Sequence, residues 1–219
     1  MWHCKKILFP MNLYISFFAA SLALAIMPGP DNLFVLAESL AKGAKRGILI
    51  TVGLCLGICM HTALCATGIS LVISQTPSLY VCLQFLGACY LAILAFEASR
   101  ETPKAAEVKT DTKSENMLKT LLRGFLMNAL NPKVALFFLA LMPQFIREGD
   151  ISIPVQFVIL GGIFMLSVLI VFNAISLLAS KFANLIKSFK FLVIMKWVRV
   201  ILFSSISFAM LAESVKIIS

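Results

Sequence analysis

Two helix-breaking sequences interrupt long apolar stretches at corresponding places in the two halves of the chain. They are Pro28-Gly29-Pro30 and Asn131-Pro132. Because proline removes a backbone donor and clashes with the preceding turn, neither stretch can continue as one regular helix. In hydrocarbon the freed carbonyls need partners, so broken backbone at membrane depth occurs only against other protein or a cavity. A matched pair of breaks therefore points to the substrate site of a membrane transporter.

The composition agrees with a membrane environment. Hydrophobic residues make up 60% of the 219 residues and charged residues 13%, and the mean hydropathy is +0.97. A soluble domain has a more even balance. The net charge of +9 lies in short basic clusters between apolar runs, which is typical of membrane topology. We therefore expect a lipid bilayer around the protein and no nucleic-acid partner.

Six apolar runs are each long enough to cross a bilayer as a helix, which takes roughly 20 residues. A polar stretch over residues 100–119 alternates in sign and predicts a cytoplasmic linker. Two halves of three helices each, 1–99 and 120–219, would be inverted copies because an odd number of spans reverses direction. The predicted fold is an all-α integral membrane protein: six transmembrane helices in two inverted three-helix repeats, helices 1 and 4 being broken at prolines. The runs are 12–40, 48–74, 78–98, 120–146, 152–179 and 192–217.

Basic residues divide unevenly between the two sets of loops. Thirteen follow the first, third and fifth runs, whereas four lie on the opposite side, tails included. Since loops rich in lysine and arginine stay in the cytoplasm, both termini are expected on the outer side. The thirteen are Lys42, Lys45, Arg46, Arg100, Lys104, Lys109, Lys113, Lys119, Arg123, Lys181, Lys187, Lys190 and Lys196.

Two side chains of opposite charge lie inside these apolar runs. Asp31 is eleven residues from Lys42, and Lys133 is ten residues from Arg123. A helix rises 1.5 Å per residue, so each charge would sit roughly 15 Å deep, near the midplane of the bilayer. An intramembrane charge usually faces a cavity or a partner. Either the pair binds the two ends of a zwitterion, or the two side chains pair with each other and hold the halves together.

Uncharged polar residues flank the same breaks. Asn32, Asn128 and Asn131 could contact a substrate, or they could satisfy the carbonyls freed by the breaks. Glu38 lies towards the end of its run, and we expect it to be solvated. The glycines at 53 and 57 form a G-x-x-x-G spacing that permits close helix contact. We favour internal packing over a homodimer for these two glycines.

Three segments carry motifs in a specific order over nearly the whole chain. The first is the break at Pro28, the second ends the third run, and the third forms the fourth run. Together they resemble the LysE/RhtB family of amino-acid exporters. The motifs are Pro28-Gly29-Pro30-Asp31-Asn32-Leu33 with Gly43, Gly47, Gly53 and Gly57; Leu86-Gly87-Ala88-Cys89-Tyr90-Leu91; and Gly124-Phe125, Asn128, Asn131-Pro132-Lys133, Phe137-Phe138 and Pro143-Gln144-Phe145.

The resemblance implies an exporter that moves an amino acid or a derivative out of a bacterial cytoplasm through the inner membrane. It implies transport driven by a coupling ion, for which we expect the proton. We expect no enzyme activity and no cofactor. The substrate-binding residues would be Asp31, Asn32, Asn128, Asn131 and Lys133. The breaks at Pro28, Gly29, Pro30 and Pro132 would shape the site, and Gly53, Gly57 and Gly87 would pack helices.

A heavy-metal exporter of the same superfamily is the alternative function. Cys55, Cys59 and His61 are close in sequence, but His61 points about 200° around the helix from Cys59 at 100° per residue. These ligands therefore do not converge on one ion, and we expect no metal site. Nothing in the chain resembles a P-loop or a catalytic constellation.

Overall fold

The computed structural model describes residues 2–27, 29–69, 77–100, 102, 116–147, 151–179 and 188–218. All regular elements in these ranges are helical, as predicted. The first half of the chain contains α1 (Trp2–Ile26), α2 (Pro30–Lys42), α3 (Ala44–Leu64) with a π turn at Cys65–Ile69, and α4 (Pro77–Arg100). The second half contains α5 (Met117–Ala129), α6 (Pro132–Leu136), a π turn at Phe137–Leu141, a 3₁₀ turn at Met142–Phe145, α7 (Ile153–Leu177) and α8 (Phe189–Ile218).

Two helix pairs are sharply bent at short interruptions. The chain turns by 58° between α1 and α2, and by 52° between α5 and the segment that begins with α6. Both second helices start with proline at their first position, where its missing N–H would have no intrahelical partner. The local sequence thus ends one helix and starts the next.

Three helical stretches are long and apolar enough to cross a bilayer, judged by length and composition. The number rises to five if each bent pair counts as one span. The predicted run over residues 78–98 corresponds to α4, whose 24 residues extend over roughly 36 Å. The count of six spans and the inverted repeat stay predictions. Most of the predicted linker lies outside the described residues, and its last three positions belong to α5.

The helices form a central bundle and a flanking pair. In the central bundle α3 packs against α5 and α7, and α1 packs against α7. Its core includes the fully buried side chains of Phe17, Leu54 and Phe157. In the flanking pair α4 packs along α8, and a second core forms around Ala88 and Met210. The polar residues at both breaks lie in the central bundle.

The helices α3 and α5 approach each other closely at two glycines. The Cα of Gly124 lies 3.0 Å from the position of a Cβ on Gly53, and that Cβ would also collide with the Leu121 carbonyl. Side chains at these positions would force the helices apart. The closeness of α3 to the second break depends on this contact.

The turn between α2 and α3 corrects one expectation. Glu38 is 3% exposed rather than solvated. Its Oε2 lies 3.1 Å from Lys42 Nζ and 3.2 Å from Arg46 Nε. The expectation was wrong because Gly43, with φ of 86°, reverses the chain and returns Arg46 to the carboxylate. The three side chains tie α2 to α3 at the end of the bundle that carries this turn.

Candidate functional site

A small cavity lies in the central bundle between the two breaks. Its volume of about 10 Å³ is room for roughly one water molecule. Three polar side chains border it, one from each of α2, α5 and α6. They are Asp31, Asn128 and Lys133, and the other lining residues are Leu24, Ala25, Val134, Phe164, Val168 and Phe172.

The cavity lining combines charged and apolar side chains. Asp31 and Lys133 border it from the two breaks. Half of the apolar lining residues come from α7, where Phe164, Val168 and Phe172 recur every four residues. Residues at this spacing lie on one face of a helix. The cavity is therefore amphipathic, with charges from the breaks and an apolar wall from α7.

Both charges lie beside Gly29. A Cβ on this glycine would be 2.8 Å from Asp31 Oδ1 and 3.6 Å from Lys133 Nζ. Any side chain here would therefore displace the Asp31 carboxylate. The absence of a side chain at Gly29 lets an anionic and a cationic group approach the same stretch of backbone.

At the first break, two side chains satisfy carbonyls at the end of α1. Asn32 Nδ2 donates to the Ala25 carbonyl at 2.7 Å. Lys133 Nζ donates to the Met27 carbonyl at 3.0 Å, across 106 positions of sequence. The last carbonyls of a helix lack intrahelical donors and carry partial negative charge. The lysine of the second break thus stabilises the first.

At the second break, an asparagine side chain caps the next helix and a histidine side chain contacts a carbonyl. Asn131 Oδ1 accepts from the Lys133 backbone N–H at 3.1 Å and caps the start of α6. The Asn128 carbonyl accepts from the Asn131 N–H at 3.0 Å. The Nε2 of His61 on α3 lies 3.4 Å from the same carbonyl. Here too a residue of the other half contacts the broken end.

Several buried amide atoms at the breaks have no hydrogen-bond partner within the described part of the chain. They are the Oδ1 atoms of Asn32 and Asn128 and the Nδ2 atom of Asn131. All three residues are at most 4% exposed. A buried polar atom without a partner costs about 1–3 kcal/mol. Their hydrogen-bonding capacity is therefore unused in this conformation.

The structure places the predicted site residues in two groups. Asp31, Asn128 and Lys133 border the cavity, whereas Asn32 and Asn131 bind backbone at the breaks. Among the other predicted positions, Gly53 and Gly57 contact α5, and Gly87 lies in α4. Pro30 and Pro132 start α2 and α6, and Pro28 lies outside the described residues.

Two contributors to the site were not predicted from sequence. The α7 wall gave no signal, because α7 is apolar all around and its four-residue spacing does not stand out. His61 was considered only as a metal ligand. Within the described residues no group of three His, Cys, Asp or Glu side chains is placed to hold a metal ion.

An aromatic cluster lies next to the cavity on the side of α1. Phe164, which borders the cavity, stacks on Phe137 with ring centroids 4.6 Å apart. The ring of Phe17 on α1 lies 5.5 Å from Phe137 and 5.0 Å from Phe145. Such offset and edge contacts between aromatic rings are favourable. The cluster therefore connects the α7 wall of the cavity to α1 and to the segment after α6.

A cavity with charged lining between two interruptions of apolar helices is typical of the substrate site of a membrane transporter. The chain belongs to the LysE type translocator family, whose sequence profile matches residues 22–214. It is therefore a multi-pass membrane transporter rather than an enzyme, and the family indicated by the motifs is confirmed.

Curated relatives agree with this assignment. The chain is 28% identical to the uncharacterized membrane protein YrhP of Bacillus subtilis over 71% of this chain and 78% of the relative. It is 29% identical to a leucine efflux protein of Klebsiella pneumoniae over 68% of this chain and 70% of that protein. It is 30% identical to a leucine efflux protein of Salmonella choleraesuis over 64% and 65% of the two chains. No solved structure matches the chain.

Proposed function

We propose that the protein exports an amino acid with an apolar side chain from the bacterial cytoplasm through the inner membrane. The observation that carries this proposal is a cavity bordered by Asp31, by Lys133 and by the apolar α7 wall. A free amino acid combines the same features, because it carries an ammonium, a carboxylate and a side chain that can be apolar.

The charges suggest how the substrate is oriented. The carboxylate would bind Lys133 Nζ, helped by the first N–H groups of the helical segment after Pro132, where an anion is favoured. The ammonium would bind Asp31 and the carbonyl-type oxygens of Asn32 and Asn128, which have no partner in the described residues. Lys133 would release the Met27 carbonyl when it binds the carboxylate.

The apolar wall supports a hydrocarbon side chain. Phe164, Val168 and Phe172 offer no hydrogen bonds and would favour burial of aliphatic surface. Two relatives are named leucine efflux proteins. We therefore choose leucine as the first substrate to test.

The size of the cavity supports alternating access. Room for one water molecule cannot hold an amino acid, so the helices must move apart to admit one. The two breaks are the places where the backbone can bend without breaking helical hydrogen bonds. We propose that α1–α2 and the α5–α6 segment rock about their breaks and expose the cavity to each side in turn.

The helix contacts support two inverted three-helix repeats. Exchanging the halves converts the α3–α5 contact into the α7–α1 contact. The same exchange leaves the α3–α7 and α4–α8 contacts unchanged. Six spans with both termini outside would follow, if each bent pair crosses the membrane once and α4 crosses it too. We further propose that the proton is the coupling ion.

Overproduction in bacteria tests the function. Cells should lose preloaded radiolabelled leucine faster than control cells and should resist toxic leucine analogues. Cadmium, nickel and cobalt tolerance should stay unchanged. A rise in metal tolerance without a change in leucine efflux would favour the heavy-metal alternative and contradict the proposal.

Reporter fusions test the topology. Fusions after Lys113 and Lys187 should report the cytoplasm, and fusions after Ile151 and Ser219 the outer side. A cytoplasmic C-terminus would exclude six spans and the inverted repeat.

A further inference from the structure

His61 is a buried ionisable residue that the proposed export mechanism does not use. It lies on α3, is 8% exposed, and stacks on Phe138 with ring centroids 5.4 Å apart. Its Nε2 is 3.4 Å from the carbonyl oxygen of Asn128. A carbonyl oxygen only accepts hydrogen bonds, so this partner assigns the proton to Nε2. His61 is thus a donor to the end of α5.

A second residue of α3 contacts Asn128 one helical turn earlier. A Cβ on Gly57 would lie 2.6 Å from Asn128 Cβ and 2.7 Å from Asn128 Oδ1. The Asn128 side chain therefore occupies space that exists only because residue 57 is glycine. Gly57 and His61 together define where the side chain and the carbonyl of one residue lie.

Asn128 links these contacts to the cavity. It borders the cavity together with Asp31 and Lys133, and its Oδ1 has no hydrogen-bond partner in the described residues. Its carbonyl and side chain leave the same backbone unit at the broken end of α5. A rotation of that unit would move Oδ1 as well as the carbonyl.

We propose that His61 is a positioning residue for substrate binding. Its Nε2–H holds the Asn128 carbonyl, and this orients Oδ1 as an acceptor for the substrate ammonium. The proposal rests on the proposed export function, because that function supplies the ammonium. His61 itself touches no substrate.

The two breaks then have reciprocal contacts. Lys133 of the second half donates to the Met27 carbonyl at the first break. His61 of the first half donates to the Asn128 carbonyl at the second break. In each case a nitrogen donor from one half contacts a carbonyl at the break of the other half. Movement of either half against the other would strain both bonds.

Two substitutions distinguish the contribution of the His61 hydrogen bond from that of its aromatic ring. His61→Phe keeps an aromatic ring against Phe138 and removes the donor. His61→Gln keeps an N–H donor of similar reach and removes the ring. Ser207→Ala is the matched control, because Ser207 Oγ donates to the Ala88 carbonyl across the halves at 2.8 Å but lies in the flanking pair.

Amide hydrogen exchange of the purified protein in lipid nanodiscs measures how firmly the backbone around Asn128 is held, and it does not depend on transport. In His61→Phe, peptides covering residues 124–136 should exchange about tenfold faster, because the broken end loses a cap. Peptides from α4 should be unchanged. His61→Gln and Ser207→Ala should match the parent over residues 124–136. Parental exchange in His61→Phe would overturn the proposal.

Efflux of radiolabelled leucine from vesicles, measured per molecule of inserted protein, tests the consequence for substrate binding. His61→Phe should raise KM about tenfold, and His61→Gln should stay within about threefold of the parent. Adding His61→Phe to Asn128→Ala should change KM little further, because one residue acts through the other. Equal KM increases in His61→Phe and His61→Gln would assign the effect to the ring and overturn the positioning role. Absence of leucine efflux in the parent would instead contradict the proposed function, and the exchange result would still decide the role of His61.

Discussion

The two helix breaks have similar geometry and opposite chemistry. The chain bends by 58° at the first and by 52° at the second. The first is followed by an anion, Asp31, and the second by a cation, Lys133. Both charges border the same cavity. Two similar bends can therefore form one site with a negative and a positive side, as a zwitterion requires.

The breaks also differ in how their carbonyls are satisfied. At the first, Asn32 of the same half and Lys133 of the other half donate side-chain hydrogen bonds. At the second, the donors to the Asn128 carbonyl are the Asn131 backbone and the His61 side chain. Lys133 takes part in both breaks. Its side chain donates to the Met27 carbonyl at the first, and its backbone N–H donates to Asn131 Oδ1 at the second. The first break thus depends on the second more than the reverse.

Loss of Lys133 should have the largest effect. Lys133→Ala removes the cation proposed for the carboxylate and the donor to the Met27 carbonyl. Leucine efflux should fall about 100-fold or more, because the remaining buried carboxylate is left uncompensated. The measurement is efflux from vesicles, divided by the amount of inserted protein. Lys196→Ala in α8 is the control and should export at the parental rate. Parental export by Lys133→Ala would remove the carboxylate site from this account.

Neutralising Asp31 should have a smaller effect. Asp31→Asn keeps an acceptor oxygen beside Gly29 and loses the charge. Efflux should fall roughly 30-fold, since a hydrogen bond to a charged group is stronger than one to a neutral amide. Comparing the loss of efflux in Asp31→Asn with that in Lys133→Ala shows which of the two breaks contributes more to export. A larger loss in Asp31→Asn than in Lys133→Ala would reverse the dependence proposed between them.

Shortening the apolar wall should change which amino acid is preferred. Phe164→Ala opens space in the α7 wall of the cavity. The ratio of phenylalanine to leucine efflux should rise about tenfold, as expected when a hydrophobic pocket gains volume. Efflux of both amino acids from one vesicle preparation gives this ratio directly. An unchanged ratio would place the substrate side chain elsewhere.

The cysteines of α3 should matter least. Cys55 is buried and Cys59 exposed, and neither borders the cavity. The double variant Cys55→Ala with Cys59→Ala should change leucine efflux less than about twofold, because these side chains pack as small hydrophobic groups. A loss comparable to that of His61→Phe would show that α3 contributes further residues to the site besides Gly57 and His61.

Local signals are easier to predict from the sequence than tertiary contacts. Proline and charge are local signals, and helices do start at Pro30 and Pro132, whereas the broken membrane spans stay a prediction. Which residues satisfy the freed carbonyls depends on how helices pack. Neither the Lys133–Met27 bond nor the His61–Asn128 contact joins residues that are close in sequence. Glu38 was placed wrongly for the same reason, because its partner Arg46 lies beyond a turn.

The most direct test of the zwitterion site compares leucine with two analogues that each lack one charge. Binding to the purified protein is measured for leucine, for 3-methylbutylamine without the carboxylate, and for 4-methylpentanoate without the ammonium. The parent should bind leucine about 100-fold more tightly than either analogue. Lys133→Ala should bind leucine and the amine with nearly equal affinity, because the group that recognises the carboxylate is gone. If Lys133→Ala still prefers leucine over the amine by the parental ratio, Lys133 does not bind the substrate carboxylate and the central claim is wrong.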